Sequence, residues 1–183
     1  MGAKRIRRDL RAAMDLGRPV LARRRLWKAD HLEGFVVGVD RSWALLHLVR
    51  DVDLIGWSAV RLDTIRDVEH QDHGFLGRAL ALTGARPGML DVDLSDLPPL
   101  LRSAARRFPI LTLYTEARDP SVCAIGRPQR IGARSVTFLD ISSEAEWADD
   151  TRGIRLDDVT RVDLGGRYED VLHRLAGYPP IPG

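Results

Sequence analysis

Residues 61–69 read RLDTIRDVE and residues 155–163 read RLDDVTRVD, so a nine-residue phrase returns ninety-four positions later with its leucine, aspartate, aliphatic and acidic positions kept. A repeat of this kind constrains architecture before any single residue is given a role, because each copy must fold into a similar unit. The likeness extends on both sides of the phrase. Leu10, Arg11, Ala12 and Ala13 are echoed by Leu101, Arg102, Ser103 and Ala104. Downstream of the helix, Arg18, Pro19, Val20 and Leu21 are echoed by Phe108, Pro109, Ile110 and Leu111, and FVVG at 35–38 answers to CAIG at 123–126. After the phrase, Phe75 with Ala79, Leu80 and Leu82 parallels Tyr168 with Leu172, Leu175 and Ala176, a helical spacing in both copies.

Within each copy the apolar period changes in a definite order. A helix over 5–16 ends at Gly17 and Pro19, and strands follow over 20–28, 33–40, 43–49 and 57–62. Asp40, Arg41 and Ser42 form one tight turn, and residues 51–56 form the next. In the repeated phrase, Leu62, Ile65 and Val68 lie three apart, as do Leu156, Val159 and Val162. That spacing predicts a single 3₁₀ turn before a last short strand. Between the copies, Gly84, Pro87, Gly88, Pro98 and Pro99 supply loop chemistry, and Asp96 is placed to cap a second helix. The expected organisation is a first unit over 1–84, a linker over 85–99, a second unit over 100–177 and a proline-rich tail over 178–183.

Five short, bent antiparallel strands with a 3₁₀ corner before the last resemble the SH3-like barrels, and the leading helix makes the Sm-like version the nearest. EGFVV at 33–37, WALLH at 43–47 and VTRVDLGGRY at 159–168 are also similar to uncharacterised bacterial proteins of this type. The resemblance implies a mainly β protein with short helices, built as two tandem five-stranded Sm-like barrels related by internal duplication. It further implies homo-oligomers through edge-strand pairing, and RNA as a ligand. The family's RNA-reading residues do not carry over, since Ser42-Trp43-Ala44 and Ile55-Gly56-Trp57 stand where its Asp-Met-Asn and Arg-Gly signatures would be.

The formal net charge of +2 conceals an asymmetry. Residues 1–28 hold ten Lys and Arg against Asp9 and Asp15, a net +8, while the rest holds eighteen basic against twenty-four acidic residues, a net −6. A basic arm on an acidic body suits nucleic acid, and it equally suits docking onto a second copy or another protein. The candidate nucleic-acid contacts are Arg5, Arg7, Arg8 and Arg11 on the helix, with Arg23, Arg24, Arg25, Trp27 and Lys28 on and beyond the first strand. Consecutive strand residues alternate between faces, so three arginines in a row require solvent or an anionic partner on at least one side. The competing account is an edge strand protected by charge.

Other clusters point to less. DVDLSD at 91–96 begins like a calcium loop but has Asp96 and Arg102 where the motif needs Gly and Glu. His70, Asp72 and His73 offer three metal-binding side chains without a fourth, and Glu144, Glu146, Asp149 and Asp150 read as a solvated acidic turn or a dock for the basic arm. His47 reads as a strand residue at a barrel rim, and the single cysteine, Cys123, as a small core residue aligned with Phe35. No glycine-rich phosphate cradle, nucleophile elbow or zinc-hydrolase helix is present in the sequence. The expectations are therefore a non-catalytic binding module or an assembly scaffold, without cofactor or metal. One cysteine and the lack of a long apolar run point to a cytoplasmic location and no membrane partner.

Overall fold

The computed structural model describes residues 2–71 and 74–179. The first half runs α1 (Gly2–Leu16), β1 (Pro19–Arg24), β2 (Leu32–Val39), β3 (Trp43–Arg50), β4 (Asp53–Arg61), a 3₁₀ turn (Leu62–Thr64), β5 (Ile65–His70) and α2 (Gly74–Thr83). The second runs α3 (Leu97–Arg107), β6 (Leu111–Tyr114), β7 (Cys123–Ile131), β8 (Ser135–Ile141), β9 (Trp147–Arg155), a 3₁₀ turn (Leu156–Asp158), β10 (Arg161–Leu164) and α4 (Arg167–Ala176). Both 3₁₀ corners stand where the three-residue spacing puts them, each closed by a backbone bond to its first carbonyl, Leu62 or Leu156.

All ten strands form one antiparallel sheet in the order β5-β1-β2-β3-β4-β10-β6-β7-β8-β9. Each half thus lays its last strand against its first, and the halves join through β4 and β10, with Arg161 opposite Val60 and Leu164 opposite Trp57. Two separate closed barrels are not what forms. The sheet is open, because β5 and β9 each pair on one side only. The joint strands β4 and β10 instead satisfy each other across the boundary, so neither presents a free edge.

Burial follows the pleat. In the first half Val36, Ala44, Leu46 and Val60 share a core with Ile6, Leu10 and Ala13 of α1, spaced as one helix face. The alternate residues Phe35, Val37, Trp43 and Leu45 join a second core with Leu76 and Leu80 of α2 and with Leu97, Leu100, Leu101 and Ala104 of α3. That core also takes in Leu113, Phe138 and Val162 of the second half, so the two units share their interior. Burying one such leucine contributes about 1.5–3 kcal/mol. The segment between α2 and α3 is more than a spacer, since Leu90, Val92 and Leu94 pack against the shared core. Asp96 caps α3 as expected, its Oδ1 accepting from the Leu97 N–H at 2.8 Å with Pro98 in the first turn.

Several sequence readings shift. β1 ends at Arg24, not at residue 28, because the Arg25 N–H turns to the Thr64 carbonyl at 2.8 Å and the chain leaves the sheet. The turn expected over 51–56 shrinks to residues 51–52, with Asp51 at φ 57°, and β4 begins at Asp53. The glycine pairing also moves. A Cβ on Gly34 would lie 2.4 Å from the His47 carbonyl oxygen, and one on Gly126 would lie 2.0 Å from that of Leu139, so Gly34 and Gly126 make the same close approach of neighbouring strands. Gly126 therefore answers to Gly34 instead of Gly38. Cys123 pairs with Tyr114 whereas Phe35 pairs with Pro19, so cysteine and phenylalanine are not counterparts.

Candidate nucleic-acid interface

Helix α1 buries Ile6, Leu10 and Ala13 and so turns Lys4, Arg8, Arg11 and Asp15 outward, with Arg7 beside them half-buried. Those side chains line a surface hollow of about 380 Å³. Asp9 engages two of the basic residues: Arg5 Nη1 donates to it at 3.3 Å and Arg8 Nη2 at 3.0 Å. Arg5 also donates through Nη2 to the Arg66 carbonyl at 3.1 Å, tying the helix to β5. Lys4, Arg7 and Arg11 have no ion-pair partner among the described residues. Trp27 lies in the β1–β2 loop, 77% exposed, with the Lys28 ammonium 4.3 Å from its ring centre. An exposed indole beside a cation is a surface on which a base can stack.

The arginines of β1 behave differently. Arg23 donates to Glu69 at 2.6 Å and lies 3.7 Å from Asp67. Arg25 donates twice to the Ile65 carbonyl, at 3.0 and 3.3 Å. Arg24 points inward and is 2% exposed, paired through both terminal nitrogens with the buried Glu116 carboxylate. Burial pulls the Arg24 pKa down while Glu116 pulls it back up. Arg23 and Arg24 thus find anionic partners within the chain, while the exposed Arg25 is held by a backbone carbonyl. Arg24 is accordingly withdrawn from any external ligand.

Glu116 carries no sequence signal that marks it out, standing in a loop after β6 whose pattern predicts nothing special. Its Oε2, which also receives Arg24 Nη2, accepts from Thr160 Oγ1 at 2.7 Å. Alongside, Arg161 is 7% exposed, forks onto Asp163 through Nε at 2.7 Å and through Nη2, and stacks 4.3 Å from the centre of the Tyr114 ring. Burial would lower the Arg161 pKa, but the charge and hydrogen bonds of Asp163 carry it well above its ordinary value. Burial, with Asp163 nearby, pushes the Tyr114 phenol up.

The remaining sequence candidates fall outside this surface. His47 is buried at 7% exposure, not at a rim. Its ring stacks on Trp57 at 4.4 Å and its Nδ1 accepts from the Gly88 N–H at 2.8 Å, so the segment before α3 is strapped over it. Asp93 accepts from the Ser95 N–H at 2.9 Å, a local turn. Glu144, Asp149 and Asp150 are exposed at the β8–β9 end, far along the sheet from α1. Asp72 and His73 lie outside the described residues, and among those described no group of three or more acidic, histidine or cysteine side chains could hold a metal. Cys123 is half-buried, and burial raises its thiol pKa. Among the described residues, no helix is long and apolar enough to cross a membrane. No protein-family model, curated protein or solved structure matches the chain.

Proposed function

We propose that the chain is a duplicated pair of Sm-like units fused edge to edge, and that it binds nucleic acid, RNA before DNA, through the outer face of α1. The observation that carries this is the set Lys4, Arg7, Arg8 and Arg11 on one helix surface, three of them without a carboxylate partner. Trp27 and Lys28 supply a stacking platform in the same half. The role expected for Arg23, Arg24 and Arg25 passes to the helix, because each already donates to an acceptor elsewhere in the chain. Anisotropy of a labelled single-stranded RNA tests the reading. Four phosphate contacts give a log–log salt slope of about −3. Reversing Arg7 and Arg11 to Glu abolishes binding, whereas reversing Arg102 and Arg106 on α3, the matching helix of the second half, leaves it. Salt-insensitive binding, or equal loss in both variants, overturns the reading.

One further observation favours assembly as a second reading. The free strands β5 and β9 occupy, in their own halves, the places of β10 and β4, which pair at the joint. The basic α1 sits by β5, while Asp149, Asp150 and Glu144 sit at the β9 end, so the two ends of the sheet carry opposite charge. Sedimentation over a range of protein and salt concentrations decides this: head-to-tail growth at low salt supports it, and a single monomeric species throughout removes it.

A further inference from the structure

The joint between the halves forms an open-mouthed cavity of about 630 Å³, within the usual range for small-molecule sites. It exists in neither half alone. β3 and β4 supply one wall through Leu48, Arg50, Ile55 and Trp57, and β10 with the start of α4 supplies the other through Arg161 and Arg167. Gly56 lets the walls meet, since at φ 113° a Cβ there would lie 2.9 Å from the backbone oxygens of Leu164 and Gly165.

Three guanidinium groups line this cavity, and their donors are unevenly used. Arg50 and Arg167 are exposed and have no partner among the described residues. Arg161 is more than nine-tenths buried, and its Nη1 makes no hydrogen bond. Asp30 lies 4.0 Å from that atom and is itself 85% exposed in its side chain. A charged donor buried without an acceptor is destabilising, and a ligand oxygen reaching it would relieve that cost. The other acids in the cavity are occupied: Asp163 by Arg161, and Glu169 by the Thr112 hydroxyl at 2.5 Å. Asp30, Asp163 and Glu169 balance the three arginines in formal charge, so what suits an anion here is the placement of donors. Arg50, Arg167 and the Arg161 Nη1 are left without hydrogen-bond partners among the described residues, while Asp163 and Glu169 already accept.

The repeat sharpens the point. Within the nine-residue phrase, Arg161 stands where the first half has Asp67, and the start of α4 at Arg167 corresponds to Gly74 at the start of α2. These cations do not belong to the framework the halves share. They appear only where the halves meet, and Arg50 reaches the same cavity from across the joint.

We propose that this cavity binds a small organic anion, a carboxylate or phosphate monoester on a compact apolar body, with Arg50, Arg161 and Arg167 holding the anionic group. Leu48, Ile55 and Trp57 provide the apolar wall for the body. The site is independent of the α1 surface and stands or falls separately from RNA binding.

The test is a titration of the full chain with benzoate, phenyl phosphate and inorganic phosphate, followed by amide ¹H–¹⁵N spectra at constant ionic strength. Saturable shifts confined to Gly56, Cys123 and residues 161–168 are expected for one or both phenyl anions, stronger than for inorganic phosphate. Benzoate against phenyl phosphate separates the carboxylate from the phosphate class. Arg167→Ala, at an exposed position, weakens binding about tenfold, in line with one charge-assisted contact. Arg174→Ala, paired with Asp170 further along α4, leaves it unchanged. Arg50→Ala repeats the loss from the other wall and guards against an effect local to α4. Absence of saturable shifts with all three anions overturns the proposal, as does binding that survives both Arg50→Ala and Arg167→Ala.

Discussion

The arginines of α1 and those of β1 lie within twenty residues of one another, yet the protein uses them in opposite ways. On α1, Lys4, Arg7 and Arg11 meet water, and Asp9 serves Arg5 and Arg8 only at the surface. On β1 and just beyond it, Arg23, Arg24 and Arg25 each reach an acceptor supplied from a distant part of the chain. The difference is not in the residue type but in what the fold brings opposite. A strand inside a sheet faces neighbours on both sides, whereas a helix lying on the sheet keeps half its circumference in solvent. Basic residues clustered in sequence therefore split into structural and available sets according to the element that carries them.

The sharpest way to break the comparison is to strand the most buried member of the structural set. Glu116→Ala leaves Arg24 charged, buried and unpaired, a change that costs about 3–5 kcal/mol. Urea or thermal unfolding reads the loss. The double variant Arg24→Met, Glu116→Leu removes both charges and fills similar volume, so most of the stability returns. If the single variant were as stable as the parent, the Arg24 guanidinium would have to reach water, and it would then belong with the α1 set.

His47 is the second polar group claimed by the interior. Its Nδ1 accepts a hydrogen bond from Gly88, so that nitrogen must be unprotonated, and burial lowers its pKa from 6.5. The unfolded chain takes up a proton on this residue at higher pH than the folded one. Stability is thus full above the unfolded pKa and falls as the pH drops through it, levelling once the folded pKa is passed. Unfolding measured at pH 7.5 and again at pH 5.5 detects the decline. His47→Leu flattens this dependence and, by leaving the Gly88 N–H without its acceptor, costs about 1–3 kcal/mol at neutral pH.

The legible part of this molecule was its local structure. The period of apolar residues located α1, both 3₁₀ turns and the Asp96 cap, because each depends on neighbours within a few positions. What escaped was long-range. Nothing in residues 51–62 or 159–164 announces that β4 and β10 will pair with each other and hold the sheet open. Glu116 and Arg24 are ninety-two positions apart, and only the joint of the two halves brings them together. The glycine correspondence was misread for a related reason. FVVG and CAIG look alike, but the constraint on a strand glycine is the carbonyl facing it on the next strand, which a linear match does not contain.

Arg23 sits between the extremes and refines the comparison. Its side chain is 34% exposed and its partners Asp67 and Glu69 are more exposed still, so solvent screens both pairs. Arg23→Ala is expected to cost far less than Glu116→Ala although the arginines are adjacent, because solvent screens an exposed pair. A loss comparable to that of Glu116→Ala would mean that the Arg23 network, rather than the buried pair, holds β1 against β5.

The smallest change in stability is expected on α1, where it is most informative. Arg11 is exposed and unpaired, and glutamine matches arginine closely in helix propensity, so Arg11→Gln alters the unfolding free energy by no more than about 0.5 kcal/mol. Its effect belongs in the binding assay. Removing one of four phosphate contacts lowers the RNA salt slope by about 0.7 and weakens binding at low salt, with the melting temperature unmoved. A variant that keeps full RNA affinity with unchanged stability would show that the exposed arginines of α1 are as idle toward nucleic acid as those of β1. The charge on the helix would then serve the opposite end of another sheet, where Asp149 and Asp150 lie.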